Sequence, residues 1–497
     1  MYIEKYNKSH LQLISKLNEL SRADIKKFRN FGRSPYFNGY QTVRTLTDYL
    51  YTLHPNIKES NVGRQKVSLI VYGQRNVNES TVRKLMSDTF KLFENFVVQR
   101  EFDNDVYQRS ILLLNTLNNE GPEKIYQRQI RNIKAIESEI KLKDKNYYLN
   151  KHEFHRTLML HNFNFNHQGD DVNLKSMVEN LDHHFIIIKL WSFLNFLFAD
   201  EEYMTAHIKQ ISFYNVIMTY LKNNEKTIAA DHTYIYTYYL ALKMFLTYDD
   251  IYLRRLMSYF RKNKSKFTGL LLTDYYSYLV NYLRTRLNVE TGDRKILTVT
   301  LFKIYEEIFR NHKTAEVIYD AGKLEDSVYL NAVATALSNR KYSWAAKFID
   351  KFRIKLHPKY REDAWYIAKA LYCDAVKDYK KAISNLQKIT YKDGAYRIFV
   401  KMILMEIYYK SGEAVKLEYK LDNLMRAEKR QNSNVKVFRN RYSLYISYFR
   451  KLLRLKMSDR SSQSKVKSFI KELKKEKGCV TRKFWMLNMA EELLKKK

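Results

Sequence analysis

The stretch from residue 328 to residue 389 decides the fold. It holds two similar segments, VYLNAVATALSNRKYSWAAKFIDKF (328–352) and AWYIAKALYCDAVKDYKKAISNLQKI (364–389), offset by 37 residues. Apolar residues in both segments recur every three to four positions, which predicts two helix–turn–helix units. The matching positions are Tyr342 with Tyr379, Ala345 with Ala382, and Ile349 with Leu386.

These two units resemble tetratricopeptide repeats, although their spacing departs from the usual period of about 34 residues. A third segment, FVKMILMEIYYKSGEAVKLEYKLDNLM (399–425), matches more weakly. The resemblance implies a right-handed α-solenoid of paired antiparallel helices. In such pairs the small alanine allows a close approach of the helices, and we expect the tyrosine to fill the seam between them.

Four further stretches are similar to an uncharacterised bacterial family of tetratricopeptide-like proteins. They are ADIKKFRNFGRSPYFNG (23–39), LDHHFIIIKLWS (181–192), NRKYSWAAKFIDKF (339–352) and VKSFIKELKKEKGCVTRKFWMLNMAEEL (466–493). The resemblance implies a cytosolic helical-repeat protein and no particular activity.

The composition independently favours an all-α protein. Only 12 glycines and 4 prolines occur in 497 residues, too few for the turns of sandwiches, barrels or doubly wound folds. We predict an N-terminal helical cap domain over residues 1–103, a helical-hairpin array over 104–326, and repeats with basic C-terminal helices over 327–497.

The formal net charge of +35 is unevenly distributed along the chain. Residues 351–497 carry 38 Lys and Arg against 15 Asp and Glu, whereas residues 151–250 carry 8 against 12. A regional surplus of this kind is typical of a binding surface for an anionic partner.

Basic and aromatic residues alternate in the C-terminal segment VKVFRNRYSLYISYFRKLLRLKMSDR (435–460), and a lysine run follows it. Cations along a groove would neutralise phosphates or carboxylates, and exposed tyrosines such as Tyr445 and Tyr448 would stack on bases. The alternative, favoured at helical spacing, is that the aromatics are core. The candidate binding residues are Arg426, Lys429, Arg430, Lys436, Arg439, Arg441, Arg450, Lys451, Arg454, Lys456, Lys471, Lys474 and Lys475.

Catalytic, cofactor and metal sites are not indicated. No Gly-rich phosphate loop is present. Six of the twelve histidines lie between His152 and His184, and His152 and His155 would share a helix face as a possible metal pair. A polar helix edge is the favoured alternative. Of the two cysteines, Cys373 and Cys479, we predict Cys373 to be a buried core thiol.

Membrane insertion is not expected either. The longest apolar run, FIIIKLWSFLNFLFA (185–199), is short and contains Lys189 and Asn195. Together with the scarcity of cysteine, this favours a cytoplasmic protein. We therefore predict a non-enzymatic scaffold or adaptor, without a cofactor or a small-molecule substrate, that binds an acidic protein or peptide. The alternative is a nucleic-acid-binding protein that uses the basic C-terminal third.

Overall fold

The chain is all-α. A computed structural model describes residues 2–120, 122–164, 171–199, 205–288, 293–310, 319, 322–390, 394–413, 417, 436–457, 463–476, 480 and 482–496. It describes side chains over the same ranges except 2–10, 119–120, 164, 171, 199, 288, 394–398, 436–443 and 496. Within these ranges every regular element is a helix, and strand-like pairing is limited to one bridge between Leu324 and Leu356.

The contacts group the chain into two compact units, Met1–Tyr238 and Tyr239–Lys497, called unit 1 and unit 2. The three-part division drawn from the sequence, with boundaries after residues 103 and 326, stays a prediction. The helices of unit 1 are α1 (Tyr2–Glu19), α2 (Arg22–Arg33), α3 (Gln41–Leu53), α4 (Arg64–Tyr72), α5 (Glu79–Asn104), α6 (Val106–Glu120), α7 (Glu123–Glu139), α8 (Lys145–Asn164), α9 (Asp171–Ala199), α10 (Tyr214–Asn223) and α11 (Glu225–Asp231).

The first five helices of unit 1 share one apolar core. Helix α2 begins after Ser21, whose hydroxyl accepts the backbone N–H of Asp24 at 3.1 Å and so caps the helix start. Its buried face places Phe28 against Phe93 of α5, with 5.5 Å between the ring centroids. Local capping and a periodic apolar stripe thus fix both the start and the packing of α2.

Helices α8 and α9 pack along each other and hold most of the histidine-rich sequence. Helix α9 also contains the longest apolar run of the chain, and its Leu190 and Leu194 are fully buried. None of the helices in the described residues combines the length and apolar character needed to cross a bilayer.

Unit 2 is also built of helices, some of which are joined by very short turns. Helix α12 (Thr233–Thr247) contains the boundary between the units, and the remaining helices belong to unit 2. They are α13 (Asp250–Lys262), α14 (Gly269–Asn288), α15 (Arg294–Arg310), α16 (Asp326–Ser338), α17 (Tyr342–Arg353), α18 (Arg361–Ala375), α19 (Tyr379–Gln387), α20 (Gly394–Ser411), α21 (Lys436–Met457), α22 (Gln463–Lys475) and α23 (Lys483–Lys496). Three-residue 3₁₀ turns lie at Glu59–Asn61 and Ile208–Gln210 in unit 1 and at Lys264–Lys266 in unit 2.

The predicted helix–turn–helix units are present, and their turns repeat in detail. Helices α17 and α19 begin at the superimposed residues Tyr342 and Tyr379. Before each of them one residue adopts a left-handed conformation, and the next N–H bonds back to a carbonyl five residues earlier, which closes the preceding helix. A third turn, after α20, has the same form. The left-handed residues are Arg340, Lys377 and Gly412, and the bonds are Lys341 N to Ala336 O, Asp378 N to Cys373 O and Glu413 N to Tyr408 O, at 2.8–3.1 Å.

The predicted packing of these units is right for the alanines and wrong for Tyr342. Ala345 and Ala382 are fully buried, as expected where two helices approach closely. Tyr342, however, is 36% exposed and fills no seam. The buried aromatic is Tyr329 on α16, whose hydroxyl donates to the carbonyl oxygen of Ile349 at 2.8 Å. The start of α17 lies at the edge of the pair, so its first side chain faces solvent.

Glycine at the left-handed turn positions is expected to stabilise unit 2. Arg340 and Lys377 have φ values of 56° and 65°, where a Cβ is unfavourable. We expect Arg340→Gly and Lys377→Gly each to raise the free energy of unfolding by about 0.5–1 kcal/mol, and Gly412→Ala to lower it by about 1 kcal/mol. Urea unfolding followed by tryptophan fluorescence measures this. Arg340→Ala and Lys377→Ala are the controls, and glycine variants no more stable than these would contradict the prediction.

Candidate basic binding surface

Helix α22 is the centre of the basic C-terminal surface. Its residues Val466, Phe469 and Leu473 are buried, and their spacing of three and four positions anchors one face of the helix in the core of unit 2. The remaining face is therefore left to solvent. The exposed lysines of α22 are Lys465, Lys467, Lys471, Lys474 and Lys475.

A groove of about 570 Å³ runs between α22 and α23, and we call it the α22–α23 groove. Its apolar contacts come from Ile470 and Leu494, which are partly buried against the core. One carboxylate, Glu491, lies in the groove, with its Oε1 3.9 Å from Nζ of Lys474. The cations that line it are Lys467, Lys471, Lys474, Lys475 and Lys495. The groove thus joins an apolar floor to a strong surplus of positive charge.

A second, smaller groove of about 390 Å³ lies on the other side of α22, against α21. Arg454 and Lys465 line it and are exposed, but Lys451 is paired with Glu472 at 2.6 Å. Nζ of Lys451 also lies 5.3 Å from the ring centroid of Tyr448. This groove therefore has fewer cations available to a ligand than the α22–α23 groove.

Several of the predicted binding residues fall outside the described part of the chain. Those whose position is not described at all are Arg426, Lys429 and Arg430. Lys436, Arg439 and Arg441 lie on the backbone of α21, but their side chains are outside the described set. Their part in binding stays a prediction.

The described candidates divide into surface and packing residues. Lys471, Lys474 and Lys475 line the α22–α23 groove, and Lys451 and Arg454 line the smaller one. Arg450 is half-buried. Lys456 contributes to packing, because its Nζ donates to the carbonyl oxygen of Tyr409 and lies 4.2 Å from the centroid of that ring. Two lysines of the larger groove, Lys467 and Lys495, are not among the candidates that the sequence predicts.

The described aromatic residues of α21 are core, so the base-stacking role expected of exposed tyrosines is wrong for them. Tyr445 and Phe449 are fully buried, and Tyr448 is 6% exposed. The Tyr448 hydroxyl donates to Glu476 at 2.9 Å. Burial and this carboxylate raise the pKa of Tyr448 to about 12. The interpretation of these rings as core is confirmed.

A paired arginine and glutamate fix α23 relative to α20. Arg482 directly precedes α23, and its Nε donates to Oε1 of Glu406 at 2.6 Å while its Nη2 donates to Oε2. Burial opposes the charge of Arg482, but Glu406 outweighs this and raises the arginine pKa. The pair spans 76 residues of sequence and positions one wall of the α22–α23 groove.

His152 and His155 of unit 1 both lie within hydrogen-bond distance of groups on α9. Nδ1 of His152 lies 2.9 Å from the carbonyl oxygen of Met177, and Nδ1 of His155 lies 2.8 Å from Oδ1 of Asn173. Of the residues that the structure describes, no three His, Cys, Asp or Glu side chains come together as a metal-binding group. His167, one of the six clustered histidines, lies outside these residues.

The prediction of a core thiol at Cys373 holds only in part. The residue is half-buried, and its Sγ lies 4.0 Å from Nδ2 of Asn385. Burial raises the pKa of the thiol, which keeps it protonated at neutral pH. Such a thiol is suited to packing rather than to nucleophilic chemistry.

Comparison with protein-family models, curated proteins and solved structures gives no match. The site is therefore interpreted from its own geometry.

Proposed function

We propose that this protein is a non-enzymatic helical-repeat scaffold that binds an acidic protein or peptide on its basic C-terminal surface. The observation that carries the proposal is the composition of the α22–α23 groove. Five lysines and a single glutamate surround the apolar side chains of Ile470 and Leu494. An acidic segment with one or two apolar side chains would pair its carboxylates with the lysines and bury its apolar groups on the floor.

The fold of this scaffold belongs to the same proposal. The 37-residue offset, the repeated turns after α16, α18 and α20, and the buried Ala345 and Ala382 support paired helices of the tetratricopeptide type. We take these pairs to stack as a right-handed α-solenoid in the cytoplasm, as the sequence resemblance implies. Stacked helix pairs form extended surfaces that suit a peptide partner.

Nucleic acid is the second candidate partner, and the charge surplus of residues 351–497 favours it. Lysines would neutralise phosphates without reading sequence. The burial of Tyr445, Tyr448 and Phe449 removes the stacking contacts that single-stranded binders use. Binding would then depend on the backbone alone and would fall steeply with salt.

Neutralising the α22–α23 groove is expected to weaken binding of an acidic peptide. The test variant is Lys467→Gln/Lys471→Gln/Lys475→Gln, and the probe is a fluorescent peptide of alternating glutamate and leucine. We expect its dissociation constant to rise about tenfold, because three exposed ion pairs contribute about 0.5 kcal/mol each. Fluorescence anisotropy at two salt concentrations measures this.

A matched control removes the same charge elsewhere. Lys26, Lys27 and Lys91 are exposed in unit 1, and Lys26→Gln/Lys27→Gln/Lys91→Gln should bind like the wild type. Equal binding by the two triple variants would overturn the peptide proposal. A random-sequence RNA that binds more tightly than the peptide, with a steep salt slope lost only in the groove variant, would support the second candidate instead.

A further inference from the structure

A third groove in unit 2, between α13 and α15, has no part in the surface described so far. Its volume is about 790 Å³, and α14 contributes residues between the two flanking helices. Phe260, Leu297 and Ile304 lining it are buried, whereas Met257 and Leu272 are half-buried. Ile296 is 63% exposed on the α15 side. The groove is therefore an open channel that combines an apolar floor with charged residues.

Cations line both walls of this α13–α15 groove at the same spacing. Arg254 and Arg261 are seven residues apart on α13, and Lys303 and Arg310 are seven apart on α15. Seven residues make nearly two helical turns, so each pair lies on one face with its Cα atoms about 10 Å apart along the axis. All four side chains are exposed, and Lys264 adds a fifth cation just beyond the end of α13.

The acidic residues of the groove are engaged with groups of the chain itself. Oδ1 of Asp250 accepts a hydrogen bond from Arg286 at 2.7 Å, and Glu306 lies 4.0 Å from Arg310. Glu307 lies beside Tyr276, whose pKa is raised by burial and by this carboxylate. Among the described residues, no carboxylate lies within 4 Å of Arg254, Arg261 or Lys303. These three cations are available to a ligand.

We propose that the α13–α15 groove binds an amphipathic helix that carries acidic residues on both sides of an apolar stripe. A groove between two helices accepts a third helix, whose apolar residues would contact Met257, Leu272 and Ile296. Acidic residues seven apart along each flank match the spacing of the cations on the walls. A nucleic-acid backbone fits less well, because it has no apolar face to contact Met257, Leu272 and Ile296.

The α13–α15 groove is separate from the binding surface at α22, since the two grooves have no residue in common. It would give unit 2 a second docking position, specific for a helical partner with an acidic and apolar pattern. Failure of the α22–α23 groove to bind peptide would not contradict the proposal for the α13–α15 groove.

The probe is a helical peptide of about 20 residues with leucine at every third or fourth position and glutamate on both flanks. A scrambled peptide of the same composition serves as its control. Hydrogen–deuterium exchange should show protection of Asp250–Lys262 and Arg294–Arg310 with the helical peptide only. Anisotropy should show at least about a tenfold weaker affinity for Arg254→Glu/Arg261→Glu, since two ion pairs become repulsions. The variant Lys467→Gln/Lys471→Gln/Lys475→Gln should protect these helices as the wild type does.

A second variant keeps the test informative if the double charge reversal alters folding. Ile296→Glu changes one exposed side chain and places a carboxylate among the leucines of the peptide, so it should also weaken binding. Circular dichroism checks that each variant is folded. Protection confined to α22 and α23, or equal protection by the scrambled peptide, would overturn the proposal. Protection of α13 and α15 by random-sequence RNA but not by the peptide would also overturn it.

Discussion

Replacing Arg482 with alanine is expected to lower the free energy of unfolding of unit 2 by about 2–3 kcal/mol. The side chain of Glu406 is 3% exposed, and both of its carboxylate oxygens accept hydrogen bonds from Arg482. Removing the arginine leaves a buried carboxylate without its partner, which costs far more than losing a surface ion pair. Because Arg482 is itself 36% exposed, water replaces part of the lost interaction. Urea unfolding measures the loss, and three of the four tryptophans lie in unit 2 to report it.

Two comparisons isolate the buried charge as the cause. Lys474→Ala breaks only the exposed contact with Glu491 and should cost no more than about 0.5 kcal/mol. In the double variant Arg482→Ala/Glu406→Gln, the neutral amide should recover at least half of the lost stability, since no buried charge remains. A double variant as unstable as Arg482→Ala would show that packing, rather than charge, accounts for the effect.

The helix–turn–helix features of unit 2 are local, and for that reason the sequence predicts them. Ala345 and Ala382 occupy equivalent positions because each helix–turn–helix unit repeats the same short-range packing. The burial of Tyr445 and Phe449 follows in the same way from helical spacing. The expected role of Tyr342 fails because the pattern identifies a helix start, whereas the burial of its first side chain depends on neighbouring helices.

The binding surfaces depend on contacts between distant residues, and the sequence predicts them only in part. The lysines of α22 stand out because they are close in sequence and share a helix. Lys495 joins them only through the packing of α23 on α22, which the pair of Arg482 and Glu406 helps to fix across 76 residues. No spacing rule connects such positions. The α13–α15 groove is missed for the same reason, since Arg254 and Lys303 lie on separate helices.

The sequence pattern does not predict the contact between the rings of His183 and His232 in unit 1. The ring centroids of His183 and His232 lie 4.0 Å apart, and Nδ1 of His232 lies 2.5 Å from the hydroxyl oxygen of Tyr148. Burial raises the pKa of Tyr148, so its hydroxyl keeps its proton and donates to an unprotonated Nδ1. Protonation of His232 would remove this acceptor and place a cation against a second imidazole.

The charged groups around His183 and His232 do not offset the unfavourable protonation of His232. Burial lowers the pKa of both histidines, and His183 and Lys143 lower that of His232 further, to about 4. The nearby carboxylates Glu179, Asp182 and Asp231 act in the opposite direction but are outweighed.

Unit 1 is therefore expected to lose stability as the pH falls from about 6.5 towards 4. The unfolded chain binds protons on these histidines near their ordinary pKa of 6.5. In the folded chain the pKa of His183 is lowered, and that of His232 is about 4. Their contribution is fully present above pH 6.5 and disappears as the pH approaches the folded-state value. We expect a loss of about 2 kcal/mol, smaller than the full shift implies, because the half-buried ring is partly screened by water. Urea unfolding at pH 7.5, 6, 5 and 4 measures it, with hydrogen exchange of α9 peptides assigning the transition to unit 1.

The difference between variants separates this effect from the titration of carboxylates. In His232→Asn the side-chain oxygen can still accept a hydrogen bond from Tyr148, but the side chain does not titrate. This variant should therefore lose most of the pH dependence of about 2 kcal/mol in the free energy of unfolding. His183→Phe keeps an aromatic ring against His232 and removes the second titrating ring, so it should lose part of this pH dependence. The exposed His357 of unit 2 provides the matched control, and His357→Asn should follow the wild-type profile. If His232→Asn and His357→Asn lose stability equally between pH 6.5 and 4, the buried pair is not the acid-sensitive element of unit 1.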